Sequence, residues 1–80
     1  MTGMPRFHFH LQEDNRLIED EIGLEVSDEA SARGQAMQAA CAMARDLFVN
    51  SEAQRLVVDL RRDGGSPVVK IIIALVVEEP

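Results

Sequence analysis

The chain of 80 residues has few of the residue types that usually reveal a function. Tyrosine and tryptophan are absent, and only three phenylalanines supply aromatic rings. The single cysteine, Cys41, excludes an intramolecular disulfide and a cysteine metal cluster. No apolar run reaches the roughly 20 residues of a membrane-spanning helix, and the N-terminus lacks the regions of a signal peptide. We therefore expect a cytoplasmic protein that does not bind membranes.

Motifs of catalysis and of cofactor binding are also missing. Asp63-Gly64-Gly65 is not followed by the Lys-Ser/Thr pair or the helix of a phosphate-binding loop, so it indicates a hairpin turn. We expect Cys41 to lie buried in the core, where a thiol behaves as a small hydrophobe rather than as a nucleophile. The sequence therefore predicts a protein that is not an enzyme and has no cofactor.

Negative charge is concentrated in the first part of the chain. The net charge is −6, and residues 1–30 carry eight acids against Arg6 and Arg16, whereas residues 31–80 are balanced. An acidic domain repels phosphate backbones, so we expect no direct binding to nucleic acid. A small basic protein remains a possible partner, although such a surface also simply favours solubility.

The composition predicts a single domain over residues 1–80, with residues 1–4 as a flexible extension. Hydrophobic residues make up 46% of the chain and charged residues 28%, which is typical of a globular protein. A chain of this length lies near the lower limit at which one core sustains a fold.

Alternation of apolar and polar residues predicts the strands. A first strand covers residues 6–12 and a second covers 17–26, which Gly23 could divide into two pieces. A third strand covers 55–62, and Pro67 opens the fourth.

Apolar spacing of three and four predicts one helix from Asp28 to Val49. Its expected inner face comprises Ala30, Gly34, Met37, Cys41, Ala44 and Phe48. We attribute the glycine in this stripe to close packing of the helix on the sheet, since glycine otherwise weakens a helix. The fold class is therefore α+β with the order β-β-α-β-β: a four-stranded, largely antiparallel sheet with one helix on one face.

The apolar run from Val68 to Val77 is the strongest signal in the chain. It is rich in β-branched residues, which favour strands, and both faces of such a strand are apolar except at Lys70. The helix can cover only one face. On the other side of the sheet, here called the outer face, the candidate interface residues are Val57, Val68, Ile72, Ala74 and Val76. An exposed apolar patch marks an association surface, so we expect a homodimer.

Several strings resemble a family of short proteobacterial proteins that is known only as a domain of unknown function. Its members open with Met-Pro-Arg and an aromatic-rich strand, as in Met4-Pro5-Arg6-Phe7-His8-Phe9-His10. They continue through Asp-x-x-Gly-x-Glu-Leu-Pro-Asp into an Ala-Arg-rich helix. The matching residues here are Asp20, Gly23, Glu25, Asp28, Arg33 and Ala36. The departures are His8, Val26, Ser27 and Gln35. The resemblance supports the fold and implies no chemistry.

A weaker likeness links the chain to HicB-type antitoxins, which also run from an opening hairpin into an alanine-rich helix. That likeness implies an acidic module that binds a small basic protein. Likeness of fold does not by itself establish function.

His8 and His10 form the one candidate ligand pair. The two residues are two positions apart on one strand, so their rings project from the same outer face. Glu19 or Glu25 could add a carboxylate as a further metal ligand. Surface histidines that pair with nearby carboxylates are the simpler interpretation, and such pairing raises their pKa. We therefore predict no metal site, and keep weak metal or ligand binding through these two residues as an alternative.

Overall fold

The structure is a computed structural model that describes residues 3–50 and 53–80. Positions 1 and 2 of the predicted flexible extension lie outside the described residues, while Gly3 and Met4 are exposed and precede the first strand. The elements are β1 (Arg6–Glu13), β2 (Arg16–Ile18), β3 (Leu24–Glu25), α1 (Glu29–Val49), β4 (Arg55–Arg62) and β5 (Pro67–Ala74). Within the two described ranges, no helix is both long enough and apolar enough to cross a membrane.

The strands form one antiparallel sheet in the order β2-β1-β4-β5, with β3 also paired to β1. The predicted α+β class is confirmed, but the sheet has five strands rather than four. The predicted strand over 17–26 is divided because the chain turns away from β1 before Gly23, which has a φ of +78°. β2 and β3 therefore share one edge of the sheet.

The core lies between α1 and one face of the sheet. Phe7, Leu56 and Leu60 are fully buried there, and Val58 and Ile71 are nearly so. Among the described strands, β4 contributes the most buried apolar side chains, because it is central and flanked by β1 and β5.

Helix α1 is rotated relative to the prediction. Its bounds agree closely, with Asp28 as N-cap: the carboxylate accepts a 2.7 Å hydrogen bond from the Ser31 N–H, and this bond lowers the pKa of Asp28. The buried residues are Ala32, Ala36, Ala40 and Ala44. Of the predicted inner stripe, only Ala44 is buried.

The two exposed sulfur residues and the glycine of that stripe confirm the rotation. Met37 is 52% exposed, Cys41 is exposed, and apart from the adjoining helix backbone no described atom lies within 4 Å of a Cβ built on Gly34. The predicted burial of Cys41 is therefore wrong, as is close packing at the glycine. The helix uses an alanine every fourth residue, which allows a close approach to the sheet, and alanine-rich positions on several faces left its rotation ambiguous.

Strand β5 forms an edge of the sheet and is shorter than the apolar run. It ends at Ala74, and the segment from Leu75 to Pro80 has no secondary structure. Val76 and Val77 are 75% and 73% exposed. The predicted strand to Val77 is therefore three residues too long, because β4 begins at Arg55 and offers β5 no strand partner beyond Ala74.

Candidate functional site

The outer face divides into a polar half and an apolar half. Directly opposite residues of antiparallel strands project to the same face, so the strand register defines rows across the sheet. The polar rows are His8–Arg61 and His10–Asp59–Lys70. The apolar half centres on the row Leu17–Gln12–Val57–Ile72. The two halves differ in the contacts that their side chains make.

In the polar half, His8 connects three chain segments. Its Nδ1 lies 2.8 Å from the carbonyl oxygen of Asp20, and its Nε2 lies 2.9 Å from Oδ1 of Asp63. Both partners are acceptors, so His8 satisfies both only when each ring nitrogen carries a proton. The hydrogen bond to the Asp63 carboxylate, with that to the Asp20 carbonyl, raises the pKa of His8 above 6.5 despite partial burial. His8 thus ties β1 to the β2–β3 connection and to the β4–β5 turn.

Between β2 and β3, where no strand pairs with this side of β1, the Asp20 side chain accepts the hydrogen bond that a strand would otherwise accept. Its Oδ2 accepts the N–H of Phe9 at 3.1 Å, and its Oδ1 accepts the N–H groups of Ile22 and Gly23 at 3.2 and 2.9 Å. Burial raises the pKa of Asp20, but these donors and the charge on His8 outweigh it and hold the pKa below 3.8. The carboxylate therefore satisfies a β1 donor that no strand reaches.

Gly23 is required by the same connection. Its φ of +78° lies in the left-handed region, and a Cβ there would come within 3.0 Å of the His8 Cε1 atom and 2.9 Å of the Arg6 Cγ atom. Only glycine combines this backbone conformation with the close approach to β1. The Asp-x-x-Gly string from Asp20 to Gly23 is thus explained by structure.

His10 stacks on His8, with ring centroids 6.0 Å apart and planes 10° from parallel. Its Nδ1 accepts the N–H of Asp20 at 3.1 Å, so that nitrogen presents a lone pair to the backbone. Glu25, one of the expected carboxylates, lies 3.2 Å from the Arg6 guanidinium instead. Among the described residues, no three His, Cys, Asp or Glu side chains are grouped to hold a metal ion. This geometry favours a structural role for both histidines.

A shallow cleft of about 360 Å³ opens beside the histidines. Its lining includes His8, His10, Glu21 and Arg61 and so mixes both signs of charge. Arg61 is already engaged: its Nε donates to Asp59 at 3.0 Å, and its Nη1 donates to the Gly65 carbonyl at 2.9 Å. The cleft therefore shows no preference for an anion or a cation.

The apolar half adjoins the free edge of β5. Leu75 donates its N–H to the Gln54 carbonyl at 2.9 Å, in the same register as the β4–β5 pairing. Because bonding direction alternates along an antiparallel strand, Ile71 and Ile73 also bond to β4. The backbone groups that point to the free edge are those of Lys70, Ile72 and Ala74.

The five predicted interface residues occupy different environments. Val57 is only 6% exposed, since it lies on the central strand between its neighbours. Val68 is half-buried and packs on the core, because a register shift between β4 and β5 displaces it. Ile72 is 52% exposed, Val76 is 75% exposed beyond the end of β5, and Ala74 is exposed. The accessible part of the predicted surface is thus its C-terminal part.

The two edges of the sheet differ in protection and in charge. At the β2–β3 edge the strands are three and two residues long, and four acids lie in or between them: Glu19, Asp20, Glu21 and Glu25. Short strands and charge are the usual protection against pairing with another chain. At the β5 edge the strand is eight residues long, and Lys70 is its one charged residue. Only the β5 edge is suited to pairing.

Three aspartates organise the loops; the sequence predicts a turn around each of them but not the groups that their side chains contact. Two of them, Asp20 and Asp63, are described above. The third is Asp14, which has a φ of +52° and whose carboxylate accepts the N–H groups of Gln54 and Arg55 at 3.1 and 3.0 Å. Aspartate in a turn is the available signal, since its side chain often bonds to nearby backbone. The distant partners could not be read from spacing.

Comparisons with known proteins place the chain in a family but do not supply an activity. No curated protein and no solved structure matches it. A family model matches residues 6–74, which include every strand and the helix. The predicted resemblance to a family known only as a domain of unknown function is thereby confirmed, whereas the likeness to HicB-type antitoxins stays a prediction; the chain belongs to the family described as Domain of unknown function (DUF6894).

Proposed function

We propose that this protein is not an enzyme and acts by association, as a homodimer formed through the β5 side of the sheet. The observation that carries the proposal is the exposure of apolar residues on the outer face of β5, Ile72 and Ala74, and of the apolar residues that follow the strand. Ile72 is 52% exposed, and Val76 and Val77 are more exposed still. Burying apolar surface is worth about 25 cal/mol per Å², so such a surface favours a partner.

Charge favours a second copy of this chain as that partner. The whole chain carries −6, which opposes self-association through most of its surface. Residues 67–77 contain only Lys70 as a charged residue, and four acids, Glu19, Asp20, Glu21 and Glu25, lie at the other edge of the sheet. Two copies meeting at β5 therefore place their most acidic regions far apart.

Light scattering on purified protein tests the proposal with one variant and a matched control. Ile72→Asp places a carboxylate in the proposed interface, and we expect the molar mass to fall from that of a dimer to that of a monomer. Met37→Asp alters an equally exposed residue on the helix and should leave the dimer intact, since both residues are 52% exposed. A wild-type protein that is monomeric at every concentration would refute the proposal.

A second candidate is an antitoxin-like module whose acidic edge binds a small basic protein. The observation that favours it is the exposure of Glu19 and Glu21 beside the His8–Asp63 contact. Electrostatic binding of this kind weakens as salt screens the charges. Salt-sensitive co-purification of a basic protein encoded beside this one, lost in Glu19→Gln/Glu21→Gln, would support this candidate.

A further inference from the structure

The free edge of β5 presents a self-complementary set of backbone groups. The N–H and C=O groups of Lys70, Ile72 and Ala74 point away from β4, as the bond from Leu75 to Gln54 requires. An exposed strand edge is a template for another strand, and an antiparallel pair of identical strands is closed by a two-fold axis.

We propose that two copies pair β5 with β5 in antiparallel orientation, centred on Ile72, so that both sheets form one continuous sheet. This inference rests on the proposed self-association and specifies how it occurs. Each Lys70 then lies opposite the partner's Ala74, and the two Ile72 residues face each other. The edge-directed backbone groups of these residues find partners, and the two ammonium groups stay apart.

The position of the axis follows from charge and from hydrogen-bond direction. Centring on Lys70 would set two ammonium groups directly opposite, which is unfavourable across strands. Ile72 is the middle one of the three residues whose backbone groups point to the free edge. A two-fold axis at Ile72 therefore lets all three residues of each copy form hydrogen bonds to the other copy. The apolar rows of the outer face, which end at Ile72 in each copy, then become continuous.

Amide hydrogen exchange distinguishes this pairing from a dimer that stacks outer faces. At a concentration where the wild-type protein is dimeric, we expect Lys70, Ile72 and Ala74 to exchange as slowly as Ile71 and Ile73. A dimer in which only the latter two exchange slowly overturns the edge pairing and leaves the proposed homodimer standing. A chain that is monomeric at every concentration overturns both.

Two substitutions at one position supply an independent test. Ile72→Pro removes an N–H that points away from β4 towards the free edge, and proline is tolerated at strand edges. Ile72→Thr keeps the N–H and the β-branched shape. The proline variant loses one N–H donor in each copy, so the dimer loses two hydrogen bonds. We therefore expect its dissociation constant to be about 5- to 150-fold higher than that of the threonine variant. Equal dissociation constants, with helix content retained in both, would overturn the edge pairing.

Discussion

Replacing Asp20 tests whether a single side chain completes the interrupted edge of the sheet. In Asp20→Asn one carboxylate oxygen becomes an NH₂ group, while size and shape are kept. The remaining oxygen can accept either from Phe9 or from the Ile22 and Gly23 pair, but not from both sides. Whichever side is lost, an N–H donor then faces another donor.

The magnitude follows from the exposure of the donors. Ile22 is 81% exposed, so water can replace its bond at little cost. Phe9 is only partly exposed, and on the side of β1 away from β4 no strand lies opposite it, so its N–H has no ready substitute. Bonds to charged groups contribute about 1.5–3 kcal/mol. We expect the free energy of unfolding to fall by about 2 kcal/mol.

Urea unfolding followed by circular dichroism measures this change, since the chain has no tryptophan or tyrosine to report by fluorescence. Glu21→Gln removes the same charge one residue along and is the control. Because the folded pKa of Asp20 lies below 3.8, its contribution is complete above that pH and is lost as pH falls through the folded pKa. The asparagine variant should lack this acid-dependent step. A loss of stability no greater than in the Glu21 control would refute the bridging role.

Three further predictions concern the helix and the histidine cluster. Gly34→Ala should stabilise the protein by about 1 kcal/mol, seen as a rise in the melting temperature, because open space surrounds that position. Ala36→Leu should lower the free energy of unfolding by about 1–3 kcal/mol, measured in urea, because it overfills the core. Met37→Ala should change that free energy by less than about 0.5 kcal/mol, because the side chain is exposed. A larger loss for Met37→Ala than for Ala36→Leu would mean that the helix face predicted from the sequence is the buried one. The stability contributed by His8 should be complete below pH 6.5 and lost as pH rises through its folded pKa, and an NMR titration of Asp63→Asn should show that pKa lowered towards 6.5.

Strong local patterns predicted the elements well. The strand over 55–62 was placed to the residue because its alternation is clean and a glycine turn follows it. The helix bounds were nearly right because Asp28 is a favourable N-cap. The resemblance to a family of unknown function is confirmed by the match over residues 6–74, while the individual strings that suggested it stay a prediction.

Properties that depend on tertiary placement were not predictable in the same way. The rotation of α1 could not be read because small residues lie on several of its faces. The edge position of β5 was hidden because a strand with two apolar faces is typical of a central strand. The His8 contacts depend on two loops that bring Asp20 and Asp63 to the same imidazole ring. The spacing of these residues in the sequence does not indicate that they are close in the fold.

Contacts between copies are the most direct test of the central claim that β5 pairs with β5. A sample that mixes isotope-labelled and unlabelled chains allows NMR to detect only proton contacts that cross from one copy to the other. We predict such contacts between Lys70 and the partner's Ala74, and between the two Ile72 residues. Contacts that instead join Ile72 to Leu17 or Val57 of the other copy, as stacked outer faces require, would contradict the account.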